Sequence, residues 1–162
     1  MNERTTNGRV RLPYLSPEAF VSSTDKAALG SLQRLPLLPK LLRKLNEVAL
    51  DRFFYVQNCA ESVRCSSKQF PTVYRLLREA CGILDVSEPE LYIRYSEKYN
   101  AFTSGVNRTF IVLHSSLVED FTDEELLFVI GHEIGHIKCG HVLYTMLGQM
   151  PRSIHEPPWM SR

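Results

Sequence analysis

The stretch "VIGHEIGHIKCGH", residues 129–141, places three histidines and one glutamate inside an apolar run. In an α-helix, residues four apart lie one turn above each other on the same face, so His132 and His136 can direct two imidazole nitrogens at one ion. Glu133 lies about 100° around the helix from His132, beside the ion rather than on it. The pattern HExxH therefore predicts a helical zinc site with His132 and His136 as ligands.

Glu133 is the candidate catalytic residue of this site. Zinc lowers the pKa of a bound water and polarises a carbonyl group. A carboxylate beside the metal can then act as general base on the zinc-bound water and later pass the proton to a leaving amine. The combination predicts hydrolysis of peptide bonds.

The competing interpretation treats the two histidines as packing residues of a core helix. An apolar stripe does run along this helix, formed by Leu127, Ile130, Ile134 and Ile137. His132 and His136 fall well over a quarter-turn away from that stripe, which favours metal binding over packing.

Two further donors lie near the motif. His141 follows His136 by five positions and misses the spacing HExxHxxGxxH, which would place a third histidine at the position of Val142. A polar or helix-capping role is favoured for His141. Cys139 is favoured as a buried thiol, because a thiolate ligand would quench the charge that a catalytic zinc needs.

The residues before the motif predict an α+β fold. Thr122 and Glu125 form a capping box that starts a helix running from about 123 to at least 140. "ELYIRY" (90–95) alternates as a strand does, and "NAFTSGVNRTFIVLH" (100–114) is typical of a hairpin.

Helical periodicity dominates the first half of the chain. Apolar residues at three- and four-residue steps predict a long helix over 39–65, and a second helix runs from Pro71 to an end at Gly82. Weaker start signals predict a short helix at Ser16-Pro17-Glu18 and another over 24–34.

Composition excludes some classes of partner. The 162 residues carry 19 Lys+Arg and 18 Asp+Glu, a net charge of +1, so no basic field favours nucleic acid. Neither an 18-residue apolar window nor a signal peptide is present, which predicts a soluble, cytoplasmic chain with membrane attachment only in a longer form. Four cysteines without a CxxC pair favour reduced thiols over disulfides.

Together these motifs resemble one family. "NAFTSG" (100–105), about thirty residues before "HEIGH" (132–136) within "FTDEELLFVIGHEIGHIKCGH" (121–141), resembles the HtpX-like zinc metallopeptidases, relatives of the CAAX prenyl-protein endopeptidases. The helical segment 35–65 is similar to the cyanobacterial and plastid branch. The resemblance covers about residues 33–149.

The resemblance implies a fold and a site. The fold is a zincin-like (gluzincin) domain, mainly helical, with a small antiparallel sheet next to the HExxH helix. Its edge strand, including residues 100–105, would align a peptide or unfolded protein substrate over His132, His136 and Glu133. The expected organisation is a partly disordered leader over 1–35, the metallopeptidase domain over 36–149, and an irregular tail over 150–162.

The resemblance also implies a third zinc ligand, a glutamate on a later helix with an ExxxD-type pattern. Glu156 is the only acid after Glu133, and Pro157 disfavours helix there. We therefore expect this 162-residue form to bind zinc weakly, to have little peptidase activity and to self-associate. The alternative function is a catalytically silent, truncated homologue that binds a peptide or a partner.

Overall fold

The computed structural model describes residues 8–19, 51–105 and 108–140, excluding the side chains of residues 18 and 51–54. Both helices and strands occur within these ranges, with three strands in succession between helices, which confirms the α+β class. In chain order they are α1 (Asp51–Glu61), β1 (Ser62–Arg64), α2 (Pro71–Leu84), β2 (Glu90–Arg94), β3 (Ala101–Ser104), β4 (Phe110–His114), α3 (Ser115–Asp120) and α4 (Asp123–Lys138).

The sheet has the strand order β1-β2-β4-β3. β3 and β4 form the predicted antiparallel hairpin, in which Thr103 pairs with Ile111. The prediction of an antiparallel sheet was wrong, because β2 runs parallel to β4, with Tyr92 opposite Val112. The second strand of the hairpin, β4, pairs with β2 on its other side. The alternation of apolar residues along a strand does not indicate which other strand it pairs with. The sheet is therefore mixed, and among the described residues β3 forms one of its edges.

The turn of the hairpin depends on Gly105. Its φ angle is +84°, and a Cβ at this position would lie 2.2 Å from the carbonyl oxygen of Arg108. Only glycine adopts this backbone conformation without a clash. The turn sets the register of β3 against β4 and thereby the position of Thr103.

α2 and α4 cover one face of the sheet. The α4 stripe predicted from sequence is buried there, with Ile130 and Ile134 fully enclosed. These residues pack with the sheet residues Leu91, Ile93, Ile111 and Leu113 and with Val73, Leu76, Leu77 and Ala80 of α2. Burial of this stripe leaves the histidine face of α4 turned away from the core.

Three predicted helix ends were wrong. The helix predicted over 39–65 ends at Glu61, and the next three residues pair with β2 as strand β1. α2 passes Gly82 and stops at Asp85, which adopts a left-handed conformation (φ 53°). α4 ends at Lys138, before a turn in which Gly140 has φ +67°. Propensity marks the existence of a helix better than its last residue.

The described part of the N-terminal region lies against α2. The Leu12 amide donates to the Ile83 carbonyl at 2.8 Å, and Arg9 forms an ion pair with Glu79 at 2.9 Å. A 3₁₀ turn over Pro17–Ala19 matches the short helix predicted there. The helix predicted over 24–34 and the boundaries at 35/36 and 149/150 lie outside the described residues, so those predictions stand as they were.

The four cysteines are free thiols, and two of them, Cys65 and Cys81, are buried. No disulfide joins Cys59, Cys65, Cys81 and Cys139. Burial raises the pKa of the Cys65 and Cys81 thiols to about 12. Among the described residues, no helix combines the length and the apolar character that crossing a membrane requires.

Candidate metal centre

The capping box at the start of α4 is formed as the sequence predicts. The Thr122 amide donates to Glu125 Oε2 at 2.8 Å, and the Glu125 amide donates back to Thr122 Oγ1. The hydrogen bond from the Thr122 amide, together with that from its hydroxyl, lowers the pKa of Glu125. This box fixes where α4 begins, and hence the rotation with which it presents residues 132–136.

His132 and His136 meet on the outer side of α4. Their Nε2 atoms are 3.2 Å apart and their rings are nearly perpendicular, at 87°. Two imidazole nitrogens on one tetrahedral zinc, each at about 2.0–2.1 Å, lie about 3.3–3.4 Å apart. The observed separation of 3.2 Å is close to that distance, so the two nitrogens are spaced as a shared metal ion requires.

Glu133 completes the cluster from the inner side. One donor atom each from His132, Glu133 and His136 lies within 4.8 Å of the others. The Glu133 side chain is buried, with the residue 6% exposed, whereas His132 is exposed and His136 half-buried. The two imidazoles therefore lie on the outer side of the helix, and the Glu133 carboxylate lies on its buried side.

Thr103 of β3 holds that carboxylate. Its hydroxyl oxygen lies 2.7 Å from Glu133 Oε2 and 3.2 Å from the Glu133 backbone carbonyl. The resemblance implies that residues 100–105 lie near the substrate, but the contact itself was not predicted, because Thr103 and Glu133 are 30 residues apart in the chain. The sequence signal for this contact was the presence of a hydroxyl side chain, Thr103, in "NAFTSG".

Some backbone N–H and C=O groups of β3 point away from the sheet. The His114 amide donates a hydrogen bond to the Asn100 carbonyl. Hydrogen-bonded pairs alternate along an antiparallel ladder, so the backbone groups of Phe102 and Ser104 also bond to β4. The N–H and C=O groups of Ala101 and Thr103 therefore point outward, away from β4. Ala101 is half-buried, whereas Thr103 is buried. No other strand pairs with β3 within the ranges 8–19, 51–105 and 108–140.

Other predicted donors do not join the centre in the part of the chain that is described. Cys139 is the half-buried C-cap residue of α4 and is not grouped with the histidines. His141 and Glu156 lie outside the described residues. Across the described ranges, His132, Glu133 and His136 form the one group of three such donors close enough to hold a metal.

An HExxH motif carried on a helix is typical of zinc metallopeptidases. The family model of peptidase family M48 matches residues 67–155, which include strands β2, β3 and β4 and the HExxH helix. The chain belongs to this family. HExxH metallopeptidases of the family are metal-dependent, which agrees with the geometry of the three donors.

The chain is similar to several named relatives. It is 33% identical over 152 residues to the plastoglobule-localized metallopeptidase 48, chloroplastic, of Arabidopsis thaliana, covering 86% of this chain and 44% of that protein. It is 30% identical over 106 residues to a protease HtpX homolog of Bacteroides fragilis, covering 57% of this chain and 33% of that protein. The chain therefore spans less than half the length of each.

Proposed function

We propose that this protein is a zinc-dependent endopeptidase that cleaves extended segments of peptides or unfolded proteins. The observation that carries the proposal is the 3.2 Å separation of His132 Nε2 and His136 Nε2 beside the buried carboxylate of Glu133. His132 and His136 would hold the metal. Both nitrogens are borne on one rigid helical turn, so the pair is organised before the metal binds.

Glu133 is proposed as the general base. When bound, zinc would supply a Lewis acid that polarises the scissile carbonyl and acidifies the attacking water. Glu133 accepts a proton from that water while the water oxygen forms a bond to the carbonyl carbon. It then returns the proton to the amide nitrogen as the C–N bond breaks, leaving a carboxylic acid and an amine.

The edge of β3 is proposed as the peptide-binding surface. Outward-directed N–H and C=O groups of Ala101 can pair with an extended peptide by adding it to the sheet as a further strand. Main-chain pairing of this kind requires an unfolded backbone and selects weakly for side chains. Unfolded proteins therefore fit the site better than folded ones.

A second candidate function rests on the number of ligands. A catalytic zinc usually has three protein ligands, and the described residues supply two imidazoles and the proposed base. The resemblance implies a third ligand further along the chain. If none is supplied, the same β3 edge would act as a peptide- or partner-binding module without catalysis.

Zinc-dependent cleavage separates the two functions. The 162-residue chain, stripped of metal with a chelator, should not cleave a reduced, unfolded protein, and addition of zinc to saturation should restore cleavage. A chain that binds both zinc and the unfolded protein but yields no new amino termini would favour the binding module.

A further inference from the structure

Thr103 joins the sheet edge to the HExxH helix through one short contact. The 2.7 Å distance from its hydroxyl oxygen to Glu133 Oε2 is that of a hydrogen bond to a charged acceptor, and it is shorter than the 3.2 Å to the Glu133 carbonyl. A hydroxyl has one proton to donate, so the carboxylate is the main acceptor. Both residues are only 6% exposed, so bulk water competes little for the hydrogen bond between them.

This contact restricts a side chain that is otherwise free to turn. Glutamate has three side-chain torsions and samples several rotamers unless it is held. Among the described residues, Thr103 is the one side chain that hydrogen-bonds to the Glu133 carboxylate. With Oε2 held, Oε1 remains for the attacking water.

The same residue belongs to the strand that would hold the peptide. β3 is fixed by its ladder with β4 and by the turn at Gly105, and α4 is fixed by its capping box. Thr103 therefore connects two rigid elements, one carrying the proposed peptide edge and the other the proposed base. The distance between base and scissile bond depends on this connection.

We propose that Thr103 is a positioning residue that holds the Glu133 carboxylate at a fixed place relative to a peptide on β3. The proposal rests on the proposed hydrolytic function. It assigns to Thr103 an effect on the chemical step, with no part in holding the metal and little part in substrate affinity.

Two substitutions at one position test it. Thr103→Val keeps the shape of the side chain and removes the hydroxyl, and Thr103→Ser keeps the hydroxyl. In the 162-residue chain at saturating zinc, Thr103→Val should lower kcat for an unfolded protein about 10- to 100-fold, with KM and zinc affinity each within about 2-fold of wild type. Thr103→Ser should recover most of the lost kcat.

Unchanged kcat in Thr103→Val, an equal loss in Thr103→Ser, or a change confined to KM would overturn the positioning role. A merely structural hydroxyl would lower stability without the split between kcat and KM. The two explanations are thereby distinguished in the same set of variants.

A double-mutant cycle supplies a readout without turnover. In the zinc-free chain, Thr103→Val should lower the urea midpoint clearly when Glu133 is present, and much less in Glu133→Met, where the carboxylate has gone. Equal shifts of the urea midpoint in both backgrounds would show that Thr103 does not hold Glu133. That result would overturn the positioning role of Thr103 and leave the proposed hydrolytic function unaffected. Wild-type chain that binds zinc without hydrolysis would instead overturn the proposed function, and the catalytic role of Thr103 with it.

Discussion

The imidazoles of His132 and His136 lie within hydrogen-bonding distance of each other. At 3.2 Å between Nε2 atoms, the pair either shares one proton or, as we propose, one metal ion. When a metal ion lies between the rings, no proton is required there, because each nitrogen directs its lone pair at the ion. The two rings should therefore become more ordered when zinc is present.

Replacing either histidine tests this pairing. His132→Ala and His136→Ala should each weaken zinc binding by more than about 100-fold, since even the loss of a group that merely orients a ligand costs about 10- to 100-fold. Zinc titration followed by calorimetry measures the effect. His114→Ala is the matched control, because His114 bonds to the Lys98 carbonyl away from the centre and should leave zinc affinity unchanged. Equal zinc affinity in all four chains would contradict the assignment.

The residues of the centre differ in how far the sequence could locate them. His132, Glu133 and His136 were predicted together because helical geometry is local and four-residue spacing fixes a shared face. Thr103 was missed as a partner of Glu133 because their contact joins separate elements through the tertiary fold. Local periodicity does not encode that contact.

At the scale of elements, the start of α4 should respond to pH. The hydrogen bonds that its carboxylate accepts from Thr122 hold the pKa of Glu125 below the ordinary value of 4.5 for a glutamate. A lowered folded-state pKa stabilises the protein above the unfolded pKa, and this stabilisation is lost as pH falls through the folded value.

Glu125→Gln provides the control for that response, because glutamine also completes a capping box but does not titrate. The urea midpoint of wild type, measured from pH 6 to about pH 3, should fall relative to that of Glu125→Gln as pH drops below about 4.5. Parallel curves for the two chains would mean that the Glu125 charge does not contribute to the cap.

The outer edge of β3 can be tested with proline. Ala101→Pro removes an amide that points away from β4, so it should raise KM for an unfolded protein with little change in the urea midpoint. Phe102→Pro removes an amide that bonds to β4 and should destabilise the fold clearly. If KM is unchanged in a folded Ala101→Pro chain, the peptide does not pair with this edge.

Pairing between strands that are distant in the chain was the part of the fold that the sequence did not predict. The hairpin and the capped helix were found because each is specified by neighbouring residues. The parallel pairing of β2 with β4, and strand β1 after Glu61, depend on contacts between distant segments. The class was right and the sheet type wrong for that reason.

At the scale of the whole molecule, the number of zinc ligands limits affinity. The described residues supply two imidazoles, and catalytic zinc usually has three protein ligands, so a chain extended by an ExxxD-type helix should bind zinc more tightly than the 162-residue chain. Self-association stays a prediction, supported on α4 by the 77% exposed side chain of Phe128, one turn before His132.

The most direct test of the central claim is cleavage by Glu133→Gln with its zinc content measured. Zinc is held at saturation, so that affinity does not limit turnover, and new amino termini are counted on a reduced, unfolded protein. We predict that wild type cleaves, and that Glu133→Gln holds the same zinc and cleaves at least about 100-fold more slowly, because the base is lost and both ligands remain. Glu133→Gln that cleaves at the wild-type rate with zinc bound would contradict the account.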